Sequence, residues 1–318
     1  MSAQAIKPNR ILAVAGGPDG EAALQSAARL AERHGAALDI MACIEPPRDL
    51  QTLSKLSGRS PGALVEIFGH DHREHVKAQL DQALPDYARP VHFAFGKAFI
   101  EIIRHVHAIG ADIVVKGAEP VSGLERFLHA STDQHLLRKC PCTVWLQGPN
   151  GASTPLRIIA AVDVDVLDAA EPDTLQALNR RVIETARAVA APGGEVIALH
   201  AWEAAAEGGL WAFGAGGEGR KAADAYVNEV RHMRDAAINA LVESCDQTLP
   251  VTPRLVRGSP EQVVPDTAEA LDANAVVIGT VARTGLGGVI IGNTAENVIN
   301  ALDRPVIAAK PDGFVSPP

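Results

Sequence analysis

Short, almost continuously apolar segments alternate along the chain with longer segments of helical period. Residues 10–15 and 157–162 are apolar runs without polar alternation, which is typical of strands covered on both faces. Between residues 175 and 189 the apolar positions recur every three or four residues, which predicts an amphipathic helix. Further strands are predicted at 38–44, 91–95, 112–116, 143–147, 196–201, 251–256, 275–278 and 305–309. This alternation indicates a parallel, doubly wound α/β sheet with right-handed crossovers.

The pattern occurs twice. Residues 96–144 align without a gap onto residues 258–306, and most matched positions are glycines or apolar residues, as in the pair Gly117 and Gly279. A repeat of this length is a duplicated domain and not a solenoid unit. We therefore predict one domain over 1–148 and a second over 155–318, joined by a linker rich in proline and glycine.

Each half is expected to form its own five-stranded parallel sheet in the order 3-2-1-4-5, and not to share one sheet continuous across both halves. The fifth strands, 143–147 and 305–309, are candidate edge strands. We expect them to pair across a pseudo-two-fold axis, because pairing would cover an exposed edge. The two domains would then form an internal pseudo-dimer.

Composition narrows the functional classes. The chain has 318 residues, of which 47% are apolar and 21% charged, as in ordinary globular proteins. Its net charge of −9 argues against broad nucleic-acid binding, which depends on neutralising phosphates.

The sequence lacks both an apolar run long enough to span a membrane and an apolar signal core, so we expect a cytoplasmic protein without membrane contact. The four cysteines are expected to be free thiols, because Cys140-Pro141-Cys142 has the spacing of neither a redox pair nor a zinc knuckle.

A candidate anion site lies in the second half. Gly279 ends a buried strand, and Gly292-Asn293-Thr294 opens a helix, with Asn293 as the expected N-cap and Glu296 as its capping-box partner. A glycine-rich approach to a helix N-terminus offers backbone N–H groups and a positive dipole end to an anion. Asp163 follows the first strand of this half, so we expect it at the same edge of the sheet.

The spacing Gly279-x-x-Ala282-x9-Gly292-Asn293 resembles the Gly-x-x-Gly-x9-Gly-(Ser/Thr) nucleotide loop of the universal stress protein family. The resemblance covers almost the whole chain. It implies two tandem flavodoxin-like (adenine nucleotide α-hydrolase-like) domains and a regulatory, stress-adaptation binding module with a small-molecule ligand and an unidentified protein partner. It also implies ATP or another adenine nucleotide in the second domain, with no metal beyond a nucleotide-bound Mg²⁺, and Asp163 facing the adenine. The nucleotide-binding residues that it implies are Asp163, Gly279, Ala282, Gly292, Asn293 and Thr294.

The two copies depart from that loop to different degrees. In the second half alanine replaces the second loop glycine at Ala282, and Asn293 replaces the family's Ser or Thr. In the first half Pro120 removes an N–H group where the family has glycine, and Glu119 places a negative charge near the expected phosphates. Ser131 begins a capping box with Gln134, which gives that segment a structural role. We therefore expect no triphosphate in the first half.

Two alternative functions stay open. One is a slow ATPase or nucleotidyl transferase, although no catalytic residue can be assigned from the sequence. The other is a binder of an apolar or lipid-like ligand, whose lining candidates are Leu210, Trp211, Phe213 and Tyr226. Residues 208–219, half of them glycine, are predicted to be a mobile flap near the second ligand cleft.

Two further motifs are interpreted structurally. Gly214-x-Gly216-x-x-Gly219 has the letters of a dinucleotide fingerprint, but it lacks a proper preceding strand. In the histidine-rich segment 70–75 only His72 and His75 share a helix face, so we expect a solvated helix and no metal site.

Overall fold

The computed structural model describes residues 6–47, 49–119, 131–148, 154–165, 171–212, 218–245, 249–280, 292–311 and 314. Its strands are β1 (Arg10–Ala15), β2 (Ala37–Ile44), β3 (His92–Phe95), β4 (Ile113–Gly117), β5 (Thr143–Gln147), β6 (Arg157–Ala161), β7 (Glu195–Trp202), β8 (Val251–Arg257), β9 (Ala275–Gly279) and β10 (Val306–Ala309). Its helices are α1 (Gly20–His34), α2 (Leu50–Ser57), α3 (Pro61–Ala83), α4 (Ala98–Ile109), α5 (Thr132–Lys139), α6 (Pro172–Val189), α7 (Glu207–Ala212), α8 (Glu218–Ser244), α9 (Pro260–Ala270) and α10 (Asn293–Ala301). Every predicted strand agrees with an observed one to within one residue at each end.

The strand order within each half is the predicted one. The described strands form a ten-stranded sheet in the order β3-β2-β1-β4-β5-β10-β9-β6-β7-β8. The strands of each half are parallel, whereas β5 and β10 pair antiparallel, with Ile307 opposite Trp145. The expectation of two separate sheets is therefore wrong, because the two fifth strands pair with each other and join the halves into one sheet.

Alternation along the strands divides the core into two layers. In β1, Ile11 and Ala13 face one layer and Leu12 and Val14 the other, as the two-residue period of a strand requires. Helices α1, α3, α6 and α8 cover the first layer, and α4, α5, α9 and α10 cover the second. Each layer contains residues of both halves, so the apolar core is continuous across the β5–β10 junction. Trp145, fully buried, lies at that junction.

The duplication extends to individual hydrogen bonds. Oδ2 of Asp112 accepts the backbone N–H groups of Asn9 and Arg10 at 2.7 and 3.0 Å. In the second half Oδ1 of Asn274, at the matched position, accepts two consecutive backbone N–H groups at 2.9 Å, where β6 begins. The carboxylate of Asp112 and the amide of Asn274 thus accept equivalent backbone N–H groups at the start of the first strand of each half.

The insert in each half contributes a long helix. The first supplies α3 and the second α8, and both pack on the same layer of the core. Of the predicted flap, residues 208–212 lie in helix α7, which packs against α8, and residues 218–219 begin α8 itself. Residues 213–217 lie outside the described part of the chain, and the mobility of the segment stays a prediction. No helix in the described ranges combines the length and apolarity needed to cross a membrane.

Candidate functional site

The carboxyl ends of three parallel strands bring the predicted site residues of the second half to one edge of the sheet. Ala161 in β6 lies opposite Ile278 in β9 and opposite Leu199 in β7. Residues that follow these three positions therefore meet at one edge. Among them are Asp163, which the sequence predicted, and Gly279, which ends β9.

The backbone around Asp163 is held by a buried amide. Its N–H donates to Oδ1 of Asn179 at 3.0 Å, and its carbonyl oxygen accepts from Nδ2 of the same side chain at 2.6 Å. Asn179 lies on α6 and is buried. The Asp163 carboxylate in turn accepts the N–H of Asp165 at 3.1 Å. Asp163 is thus fixed at the edge of the sheet by a residue that sequence analysis did not single out.

A buried histidine lies beside this loop and was also missed. His200, near the end of β7, is buried, and its Nδ1 lies 3.2 Å from the carbonyl oxygen of Val162. Its Nε2 lies 3.9 Å from Asp165, which pairs with Arg234 of α8 at 2.5 Å. Burial lowers the pKa of His200 below its ordinary value, although the charge of Asp165 acts in the opposite direction. A neutral imidazole can donate or accept a hydrogen bond, and Nε2 has no such partner among the described residues.

Gly279 lies close to the Leu178 side chain of α6. A Cβ atom there would lie 2.7 Å from Cδ2 of Leu178, so a larger residue would require that side chain to move. The next residue, Thr280, is buried, and its hydroxyl donates to the carbonyl oxygen of Ala309 at 3.3 Å. Ala282 and the rest of the predicted loop, 281–291, lie outside the described residues.

The start of α10 differs from the prediction. Gly292, and not Asn293, is the N-cap, and no side-chain cap bond is found there among the described residues. The predicted capping box is wrong because Glu296 instead pairs with Arg138 of the first half at 2.7 Å. Asn293 and Thr294 are exposed in the first turn. The first turn therefore presents backbone N–H groups at the positive end of the helix without a side-chain cap.

In the first half the matched positions are occupied by an internal charge cluster. Nζ of Lys116 lies 2.8 Å from Oδ1 of Asp133 and donates to the carbonyl oxygen of Gly117 at 2.8 Å. Oδ2 of Asp133 accepts the N–H of Glu119 at 2.7 Å. Lys116 and Asp133 are both buried, whereas the second half has Ile278 and Ala295 at these two positions.

The side chain of Gln79 covers the sheet edge of the first half beyond the end of β1. The N–H of Gly16 donates to Oε1 of Gln79 at 2.8 Å, and Nε2 of Gln79 donates to Gly17. Gln79 is buried and belongs to α3, so the insert helix fills the space beyond β1. A Cβ atom on Gly117 would overlap the carbonyl oxygen of Pro18.

Three further residues of the first half were singled out in the sequence, namely Ser131, Glu119 and Pro120. The predicted cap at Ser131 is confirmed, since its hydroxyl accepts the N–H of Gln134 at 3.2 Å. Glu119 contributes to the internal cluster, with a carboxylate oxygen 3.8 Å from Nζ of Lys116. Pro120 lies outside the described residues.

The apolar lining candidates do not form a described pocket. Tyr226 and Val230 of α8 pack in a small cluster with Trp202 and Ala204. Leu210 lies in α7, while Phe213 and the side chain of Trp211 lie outside the described part of the structure. Across the described ranges no three His, Cys, Asp or Glu side chains converge as a metal site would require.

Comparison with known proteins identifies relatives over most of the chain. A model of the universal stress protein family matches residues 8–146 and 157–310. Universal stress protein E of Salmonella typhi is 32% identical over 252 residues, covering 77% of this chain and 75% of that relative. The protein of the same name from Escherichia coli K12 is 31% identical over 251 residues, covering 77% and 74%.

Solved structures agree with this match. A functionally unknown protein from Pseudomonas aeruginosa PAO1 has a TM-score of 0.60 and 25% identity, covering 96% of this chain and 94% of that one. A universal stress protein from Archaeoglobus fulgidus DSM 4304 has a TM-score of 0.61 at 16% identity, covering 95% and 96%, which bears on the fold alone. Tandem architecture is therefore shared along nearly the full length.

Proposed function

Because the chain belongs to the universal stress protein family, we propose that it is a regulatory binding module that holds an adenine nucleotide, such as ATP, in its second half. The proposed contacts are Asp163, Gly279, Ala282, Gly292, Asn293 and Thr294. The observation that carries the proposal is the difference between the two copies. Among the described residues the start of α10 at the sheet edge of the second half has no side-chain cap, whereas the first half fills its matched edge with its own side chains.

The start of α10 suits phosphate groups. Exposed Asn293 and Thr294 add side-chain donors to the backbone N–H groups of the first turn, and the dipole of the helix favours an anion there. A Mg²⁺ ion would accompany the nucleotide through its phosphates. Asp163 follows the end of β6, its backbone is held by Asn179 of α6, and its carboxylate is suited to accept hydrogen bonds from the adenine or ribose.

In the described residues of the first half the matched positions are already occupied. The ammonium group at this edge, that of Lys116, is neutralised by Asp133, and the same carboxylate accepts the N–H of Glu119. A nucleotide phosphate would have to displace Asp133 from a buried ion pair, which is costly. We therefore propose that the nucleotide binds the second half alone.

The first half then has a structural and partner-binding role. Antiparallel pairing of β5 with β10 supports an internal pseudo-dimer, in which each half covers the exposed edge of the other. We propose that this unit responds to stress by presenting a nucleotide-dependent surface to a protein partner. A cytoplasmic location fits its free cysteines, because reducing compartments keep thiols unpaired.

Isothermal titration of the full chain with ATP and Mg²⁺ tests the proposal. The full chain is needed because isolated halves would expose the β5 or β10 edge. Asp163→Ala should weaken binding about tenfold, the effect of losing one or two hydrogen bonds to the ligand. Asp19→Asn is the matched control on the first half, since asparagine tolerates the left-handed backbone found at residue 19. Unchanged affinity in Asp163→Ala, or loss of binding in Asp19→Asn, would contradict the assignment.

Mass spectrometry of heat-released small molecules separates the rival functions. A co-purified adenine nucleotide supports the proposal, whereas an acyl-chain ligand would favour the apolar-ligand alternative. Phosphate release from bound ATP, abolished by a site variant, would instead indicate a slow ATPase.

A further inference from the structure

Two thiols meet where the first half contacts the second. Cys140 ends α5 and is fully buried, and Cys142 follows after one proline and is half-buried. Their sulfur atoms lie 3.5 Å apart, within hydrogen-bond range for sulfur. A disulfide has an S–S length of about 2.05 Å, so closing the pair requires a movement of roughly 1.5 Å. The spacing that excluded a redox pair in the sequence is therefore compatible with one in the fold.

The second half adds a buried ammonium group to this pair. Ala308 lies opposite Val144, and extending that antiparallel register by two residues sets Lys310 opposite Cys142. Lys310 is buried, and its Nζ donates to the carbonyl oxygen of Leu137 in the last turn of α5. The same atom lies 4.9 Å from the centre of the Phe314 ring.

Electrostatics set this pair apart from the other two cysteines. The hydrogen bond from Cys142 lowers the pKa of Cys140, and the charge of Lys310 acts in the same direction. The hydrogen bond with Cys140 and burial raise the pKa of Cys142, and the charge of Asp112 acts in the same direction. Burial lowers the pKa of Lys310 to about 8. In contrast, burial raises the pKa of Cys43 to about 12 and that of Cys245 to about 11.

We propose that Cys140 and Cys142 are a redox-active dithiol that a peroxide oxidises to an intrachain disulfide, with Lys310 as its positioning residue. The Cys140 thiolate attacks one peroxide oxygen, so that an S–O bond forms, the O–O bond breaks and the hydroxide that leaves takes up a proton as water. The Cys142 sulfur then attacks the sulfenic sulfur, forming the S–S bond and releasing a second water. The two thiols lose two electrons and the peroxide gains them.

Oxidation would alter the contact between the halves. Lys310 belongs to the second half and the thiols to the first, so disulfide formation changes the sulfur groups beside a buried ammonium. Cys142 is the more exposed residue of the pair.

The test treats the reduced full-length protein with equimolar hydrogen peroxide, alkylates the remaining thiols and maps peptides by mass spectrometry. We expect the peptide that contains Cys140 and Cys142 to lose two hydrogen atoms and escape alkylation, while Cys43 and Cys245 stay reduced and serve as internal controls. In Cys142→Ser we expect dimedone to trap a sulfenic acid on Cys140. Oxidation of Cys43 or Cys245 before the pair, or no disulfide at all, would overturn the proposal.

The pH profile of the oxidation rate tests the role of Lys310. Lys310→Met should slow oxidation about tenfold at neutral pH and move the profile to higher pH, as expected for roughly one unit of thiol pKa. Lys310→Arg should restore most of the rate, and Lys77→Met, on the exposed surface of α3, should not change it. An unshifted profile in Lys310→Met would remove Lys310 from the proposal.

Discussion

Removal of Asp133 is the perturbation whose consequence the structure defines most sharply. Asp133→Ala leaves the ammonium of Lys116 in a buried position, with side chains only 7% and 11% exposed in the original pair. It also deprives the N–H of Glu119 of its acceptor. We expect Asp133→Ala to destabilise the protein because both groups have lost their contact with water.

The magnitude follows from the contacts that remain. Breaking a buried ion pair by removing one partner costs roughly 3–5 kcal/mol. Lys116 keeps its hydrogen bond to the carbonyl oxygen of Gly117, and Glu119 lies 3.8 Å away. These contacts place Asp133→Ala at the lower end of that range, about 3 kcal/mol.

The duplication supplies a matched control. The second half has Ile278 and Ala295 at the positions of Lys116 and Asp133. The double variant Lys116→Ile, Asp133→Ala gives the first half the same two apolar residues that the second half has. Replacing a buried pair by apolar groups is often neutral, but the N–H of Glu119 still loses its acceptor, so we expect the double variant to lie about 1–2 kcal/mol below the original protein and above Asp133→Ala.

Guanidinium unfolding followed by circular dichroism measures all three proteins. The midpoint should fall in Asp133→Ala and recover in part in the double variant, with slopes unchanged. A cost below about 1 kcal/mol for Asp133→Ala would mean that the pair is solvated in the folded protein. A double variant as unstable as the single one would refute the reasoning from the second half.

Three further predictions have defined outcomes in the same unfolding assay. Gly117→Ala should lower the free energy of unfolding by more than about 3 kcal/mol, because its Cβ would overlap the Pro18 carbonyl oxygen. The control Gly62→Ala, in open space on α3, should be neutral or stabilising by up to about 1 kcal/mol. Equal effects of the two variants would contradict this prediction. Arg138→Ala should cost less than about 1 kcal/mol, since its ion pair with the other half is partly exposed, and a larger loss would make that pair a main stabiliser of the junction. The pKa of Lys310 is about 8 when folded and about 10.4 when unfolded, so the unfolded chain binds more protons between these values. The free energy of unfolding should therefore rise by roughly 2.5 kcal/mol from pH 8 to pH 10.4 relative to Lys310→Met, and parallel pH curves would contradict the burial of this ammonium.

Most strands could be predicted because they are buried on both faces. Runs such as RILAVA in β1 are uninterrupted by polar residues after the opening arginine, so their limits were right to within one residue. The order within each half followed from the repeated alternation of strands and helices. The continuous sheet was excluded wrongly, although the pairing of the fifth strands that produces it was expected.

The site was less accessible to sequence reasoning because its contacts are long-range. The sequence predicted that Glu296 belongs to a local capping box, but its carboxylate pairs with Arg138, which lies 158 residues earlier in the chain. Arg234 comes from the insert of the second half, which lies outside the aligned repeat 96–144 and 258–306, so no repeated pattern linked it to Asp165. His200 carried a signal that was overlooked, since a histidine inside the apolar run VIALHAW is a buried polar residue that needs a partner.

A crystal structure of the full chain soaked with a non-hydrolysable ATP analogue tests the central claim most directly. The account predicts one nucleotide per chain, with its phosphates at Gly292, Asn293 and Thr294 and its adenosine beside Asp163. The edge of the first half should keep Gln79 against Gly16 and Lys116 paired with Asp133. Nucleotide density in the first half, with Gln79 or Asp133 displaced, would contradict the account.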